Sequence, residues 1–202
     1  MGTRNKTHVI KDSKFIIKQY GQWDGYPTTS TATIVEQLQG EILPRFIEAL
    51  DKVEYVGVDY CDKVFDNIPE YWFGAKRSNL YDEITNKIYE LKKETDYQIS
   101  LEEIIDTLME KYDNQFVADY MTMTRDTGYM IMEAVASLAK YDIVIHIYLE
   151  DYLGFDIEAV NTIDLDNKLL AVNWHGKETA WSFDKLPTPE ELEKFQAEDD
   201  GE

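Results

Sequence analysis

Residues able to do chemistry crowd one short stretch of this sequence. Between Gly21 and Pro27 stand Gln22, Trp23, Asp24 and Tyr26, with Gly21 and Gly25 able to take positive φ and the proline fixing the exit. Aromatic faces beside a carboxylate and an amide can hold a base or a peptide, so Gln22, Trp23, Asp24 and Tyr26 are the candidate contact residues. The competing reading makes Trp23 and Tyr26 plugs at the edge of the core, with the glycines shaping a hairpin-to-helix turn. Arg125, in the run Arg125-Asp126-Thr127-Gly128 ahead of an expected helix, either caps that helix or completes the same site.

Other chemistries find no complete residue set. Asp164, Asp166 and Asn167 hint at a calcium loop, but Leu169 stands where glycine is needed and His175 where the bidentate glutamate belongs. A hairpin turn is the expectation there. Cys61 lies between Asp59 and Asp62, whose carboxylates disfavour a thiolate. His8, His146 and His175 are scattered, none at ligand spacing from another His or Cys. His146, inside the apolar run Ile143 to Leu149, reads as a hydrogen-bonded core histidine. No catalytic residue, metal or cofactor is expected.

Charge is the strongest global signal. Forty acidic residues against twenty basic ones give a formal net charge of −20 over 202 residues. Such a surface repels phosphate backbones and anionic lipid heads and attracts basic surfaces, which argues against nucleic acid and membrane as direct partners. The excess comes in blocks. Residues 94–110 carry Glu94, Asp96, Glu102, Glu103, Asp106 and Glu110. Residues 141–167 carry Asp142, Glu150, Asp151, Asp156, Glu158, Asp164 and Asp166 with no Lys or Arg. The first twenty residues run the other way, with Arg4, Lys6, Lys11, Lys14 and Lys18 against Asp12 alone. Blocks suit an interaction surface, so Glu150, Asp151, Asp156 and Glu158 join the candidate partner-binding residues, though a solvated face has the same composition.

The elements that must position these residues follow from period and punctuation. His8-Val9-Ile10 and Phe15-Ile16-Ile17 around Lys11–Lys14 read as a hairpin over 7–20. Ile34, Val35, Leu38, Ile42, Leu43, Phe46, Ile47 and Leu50 keep a helical period, with a break expected between Gly40 and Pro44. Val56, Val58 and Tyr60 alternate like a short strand. Ile84, Ile88 and Leu91 form one helical stripe, and Ser100 with Glu103 opens another helix as a capping box. A further helix is expected from near Thr124, with Met130, Ile131, Ala134, Val135 and Leu138 on its face. Strands at Ile157–Ile163 and Leu169–Trp174 flank the turn at residues 164–168, Thr179–Phe183 pairs next, and Thr188, Pro189 and Glu191 start a closing helix. The expected fold is α+β: a mixed, mainly antiparallel sheet formed by the N- and C-terminal strands, packed against central helices. One domain over residues 1–197 with an acidic tail at 198–202 is the expected organisation.

Several short runs carry a resemblance: GTRN at Gly2–Asn5, YGQWDGYP at Tyr20–Pro27, TRDTG at Thr124–Gly128, IDLDN at Ile163–Asn167 and LPTPEE at Leu186–Glu191. In this order they resemble a family of uncharacterised bacteriophage and prophage proteins of Gram-positive bacteria. Both ends of the chain take part, whereas residues 53–120 do not, and Thr28-Thr29-Ser30 departs from the Ser-Gly stretch common after the proline. The resemblance implies a phage accessory protein in the bacterial host cytoplasm, a setting that fits the single cysteine and the absence of an apolar run in the first twenty residues. Proteins of that kind often inhibit host defence systems, including CRISPR and restriction nucleases. Three readings follow: a non-enzymatic inhibitor occupying a basic surface of a host nuclease or effector as a nucleic-acid mimic; a protein sequestering a nucleotide signal at the Trp23–Tyr26 loop; and an enzyme whose site sequence does not reveal. The first is preferred because acidity is blocked and catalytic motifs are absent.

Overall fold

A computed structural model describes residues 3–57, 59–60, 64, 79–124, 127–148 and 157–197. In chain order its elements begin with β1 (Asn5–Lys11), β2 (Lys14–Gly21), a π-helical turn (Pro27–Thr31), α1 (Ala32–Gln39), α2 (Ile42–Ala49) and β3 (Val53–Val56). Helices α3 (Asn79–Glu94), α4 (Leu101–Met109), α5 (Asn114–Met123) and α6 (Ile131–Leu138) follow, α6 preceded by a 3-10 turn at Gly128–Met130. The chain closes with β4 (Ile145–Tyr148), β5 (Ala159–Asp164), β6 (Leu169–Trp174), β7 (Lys177–Ser182) and α7 (Pro189–Ala197). The fold is α+β.

The chain divides into two compact units. One is made of Met1–Pro44, Thr124–Met132 and Leu149–Glu202, the other of Arg45–Met123 and Glu133–Tyr148. Neither is continuous in sequence, so no linker marks the division.

The first unit holds a five-stranded sheet in the order β2-β1-β5-β6-β7. Terminal strands meet in it as expected: every neighbouring pair is antiparallel except β1 with β5, which run parallel from Asn5↔Ala159 to Ile10↔Asp164. The β1–β2 register slips after Val9↔Ile17, leaving Ile16 as the extra residue of a bulge. Strand alternation then decides the faces. Val9, Ile17, Ala159, Ile163, Leu170 and Val172 are buried, as are Ile34 of α1 and Leu192 and Phe195 of α7. The Trp181 ring of β7 meets Phe195 edge-on at 5.9 Å.

Local chemistry sets the ends of these elements. Asp12 and Ser13 take φ of 52° and 58°, the left-handed pair that a two-residue hairpin turn needs. Their amides donate to the Asp166 carboxylate at 2.9 and 2.7 Å. Asp164 accepts from the amides of Asp166 and Asn167 and from the Asn167 side chain, which holds its carboxyl below the usual range. These acids build turns, as the incomplete calcium pattern implied. Thr188 and Glu191 form a reciprocal cap at the start of α7.

The second unit pairs β3 with β4 in parallel, Val53↔Ile145 to Val56↔Tyr148, beside α3, α4 and α5. The strand expected from the alternation of Val56, Val58 and Tyr60 lies elsewhere: β3 covers Val53–Val56 and ends there, Tyr60 is helical, and Val58 lies outside the described residues. The Ser100–Glu103 capping box is present in full at α4. The helix expected from near Thr124 starts instead at Ile131, because Gly128 at φ 49° interrupts regular α geometry and only a 3-10 turn fits ahead of it. No helix among the described residues is long and apolar enough to cross a membrane.

Candidate functional site

Strand directions place one set of strand ends together in the first unit. The start of β1, the end of β2, the start of β5 and the end of β6 lie at the same end of the sheet, through Asn5↔Gly21, Asn5↔Ala159 and Ala159↔Trp174. The loop carrying Gln22, Trp23, Asp24 and Tyr26 leaves β2 at that end.

The loop is pinned by its backbone. The Asn5 side-chain amide donates to the Trp23 carbonyl at 3.0 Å, and the Gly25 amide donates to the Thr3 carbonyl at 3.1 Å. The Ser30 hydroxyl lies 3.1 Å from the carbonyls of both Gly25 and Tyr26. The Tyr20 hydroxyl donates to Gln22 Oε1 at 2.8 Å. Asp24 takes φ 54°, so a non-glycine residue sits in the left-handed region in the middle of the loop. Behind it, the π-helical turn is anchored over β5 by the Thr31 hydroxyl on Asn161 Oδ1 at 2.7 Å.

Asn5, fully buried, is the centre of this arrangement. A Cβ on Gly21 would stand 2.6 Å from Asn5 Oδ1, and one on Gly25 would stand 3.0 Å from Asn5 Cβ. Gly128 comes so close to Gly21 that a Cβ there would lie 3.2 Å from its Cα. Asn5 of GTRN, Gly21 and Gly25 of YGQWDGYP and Gly128 of TRDTG therefore converge on one point. The Gln19 side chain adds a bond to the Thr124 carbonyl at 2.7 Å.

Trp23 is 52% exposed and Tyr26 45%. They are not core plugs. The Tyr26 ring leans on Trp174, with centroids 5.8 Å apart, and Asp24 lies near enough to Tyr129 for its charge to add to burial in raising that phenol. The result is an aromatic pair and a carboxylate presented to solvent by a fixed backbone. No protein-family model matches the chain, and comparison with curated proteins and with solved structures found no match.

The other sequence candidates fare differently. Glu158 lies at the same end of the sheet, but its carboxylate accepts from the Arg4 amide at 2.8 Å while its own amide donates to the Arg4 carbonyl. It closes the β1–β5 end. Arg125, Glu150, Asp151 and Asp156 lie outside the described residues. The acidic block at 94–110 is partly neutralised within the second unit: Glu102 binds Arg45 and Lys140, Asp106 binds Lys140 and Tyr141, and Glu103 serves the cap. Among the described residues no cluster of three His, Cys, Asp or Glu could hold a metal ion.

Asn5, Tyr129 and Trp174 were missed in the sequence. Asn5 had a signal: an amide on the inward side of an alternating strand, where Val9 marks the buried face, is a polar group that must have a task. Tyr129 and Trp174 carry none: Trp174 reaches the site through the pairing of β5 with β6, and Tyr129 through the 3-10 turn whose Gly128 packs on Gly21.

Proposed function

We propose that this chain is a binding protein that docks on a basic protein surface through the Trp23–Tyr26 loop. The observation carrying this is the exposure of Trp23 and Tyr26 on a backbone already held by Asn5, Thr3 and Ser30. Exposed aromatics on a preorganised loop bind with little ordering cost. A carboxylate between them suits a lysine or guanidinium side chain lying on a ring face. The net charge of −20 speeds encounter with such a partner and turns anions away. Read with the resemblance of GTRN, YGQWDGYP and IDLDN to phage proteins, the partner is the basic surface of a host defence nuclease or effector, and the protein is its inhibitor in the host cytoplasm. Engagement of Glu102, Asp106, Asp164 and Asp166 inside the fold moves the weight of the contact from the acidic blocks to the loop.

The test is affinity capture from a Gram-positive host with the wild type and with Trp23→Ala/Asp24→Ala as baits, followed by titration of the purified partner. A basic partner should be retained by the wild type, weaken about 30-fold or more with the double variant, and dissociate as salt rises. Nucleotide binding that is salt-insensitive and lost in Trp23→Ala would replace this reading with sequestration of a nucleotide signal.

A further inference from the structure

In the second unit, α5 and β4 build a polar cluster that the loop reading does not use and does not depend on. Gln115 and Asp119 stand one turn apart on α5, and His146 faces them from β4. Asp119 is 2% exposed. Its Oδ1 lies 2.7 Å from His146 Nδ1, and its Oδ2 accepts from the Tyr60 hydroxyl at 2.8 Å. Gln115 Nε2 donates to Asp119 Oδ1 at 3.1 Å and to the Val144 carbonyl at 2.9 Å. The Tyr60 ring lies against the imidazole at a centroid distance of 4.4 Å.

These contacts assign the tautomer. Gln115 Nε2 also lies 3.1 Å from His146 Nδ1, but its two hydrogens go to Asp119 and to Val144; with Tyr60 and Gln115 donating to Asp119, its carboxylate is an acceptor, so Nδ1 carries the proton that points at it. The lone pair of the neutral ring is then on Nε2. That nitrogen makes no hydrogen bond among the described residues, and the side chain keeps 12% of its surface open. Nδ1 is thus held by a buried carboxylate, while the ring keeps part of its surface open to solvent.

We propose that His146 is a proton-accepting catalytic residue, with Asp119 as its positioning residue, acting on an O–H or S–H group of an uncharged or cationic molecule. Among the described residues the titratable groups placed beside the imidazole are Asp119 from α5, the Tyr60 phenol, and Glu54, the register partner of His146 across β3 and β4. Two carboxylates, with no cation in contact with His146 among the described residues, disfavour an anionic substrate. A buried carboxylate on Nδ1 orients the ring and stabilises the imidazolium that forms when Nε2 takes a proton.

The probe is p-nitrophenyl acetate with water as the O–H donor. The water oxygen bonds to the acyl carbon as its proton passes to Nε2, the aryl C–O oxygen leaves with the bonding pair as p-nitrophenolate, and the imidazolium returns its proton to solvent. His146→Gln should abolish the protein-dependent rate, while His8→Gln and His175→Asn should leave it unchanged. Asp119→Asn should lower it about tenfold or more, since it favours the opposite tautomer. Because that variant can destabilise α5, the wild type supplies a separate readout: long-range ¹H–¹⁵N spectra at about pH 8, above the ordinary imidazole range, should show His146 protonated at Nδ1 and bare at Nε2. A bare Nδ1, or a rate that survives His146→Gln, overturns the proposal.

Discussion

At Gly21 the smallest possible side chain already has nowhere to go. A methyl group would meet Asn5 Oδ1 at 2.6 Å, and the amide cannot retreat because its Nδ2 holds the Trp23 carbonyl. Gly21→Ala should therefore cost about 1–3 kcal/mol, the usual range for overpacking, read as a lowered midpoint in urea unfolding. Trp23→Ala makes the contrast. Half of that indole is in solvent, so its loss should change stability by no more than about 0.5 kcal/mol, although it removes the largest exposed ring of the loop. A Trp23→Ala protein as destabilised as Gly21→Ala would make the indole a structural plug and end its candidacy as a contact residue.

Elements in the second unit are tied by a titratable bridge. Hydrogen bonds from Arg45 and then Lys140 hold the Glu102 carboxyl below its ordinary 4.5. For Asp106 burial pulls upward, but bonds from Lys140 and Tyr141 outweigh it and leave the carboxyl below 3.8. Both depressed groups favour the folded state above their unfolded-state pKa, and that contribution is lost as pH falls through the folded values. The opposite limb belongs to Lys140, raised chiefly by its bond to Asp106, and to Tyr141, pushed up to about 12 by burial and by Asp106. Their stabilisation is present below their ordinary values and lost on the way up. The urea midpoint should thus fall below about pH 4 and again above about pH 10. Lys140→Met should flatten both limbs. These side chains are a third or more exposed, so the change per pair should stay within about 1 kcal/mol. A Lys140→Met profile parallel to wild type at both ends would mean that the bridge has no part in the pH response.

Over the whole molecule the charge acts in two directions at once. A net charge of −20 repels itself within the compact state and attracts a cationic partner outside it. Salt screens both, with a Debye length of about 8 Å at physiological strength and about 3 Å at 1 M. Raising sodium chloride toward about 1 M should therefore raise the melting temperature in calorimetry while slowing association with the proposed basic partner. Opposite signs are what distinguish the two effects, because simple strengthening of apolar burial by salt would not slow binding. A melting temperature that falls with salt would show that the internal bridges, not self-repulsion, dominate the electrostatics of folding.

What could be read in the chain was what neighbours in sequence decide. The 7–20 hairpin, the break after Gln39, the Ser100–Glu103 and Thr188–Glu191 caps and the turn at residues 164–168 all close hydrogen bonds within a few residues. From them the α+β class follows, and the loop at residues 21–27 stood out by composition alone. Tertiary structure decided the rest. Helix α5 escaped because every residue from Val117 to Met123 is buried, and a helix buried all round has no stripe to read. The parallel joining of β1 to β5 brings Arg4 to Glu158 and makes Asn5 the hub of three glycines, a meeting of segments that no local pattern encodes. Likewise, nothing near His146 in sequence points to Asp119, 27 residues earlier. Such pairs form only after a long loop has been closed, and the energy that closes it comes from burying the whole apolar face, not from the few polar residues that face brings together.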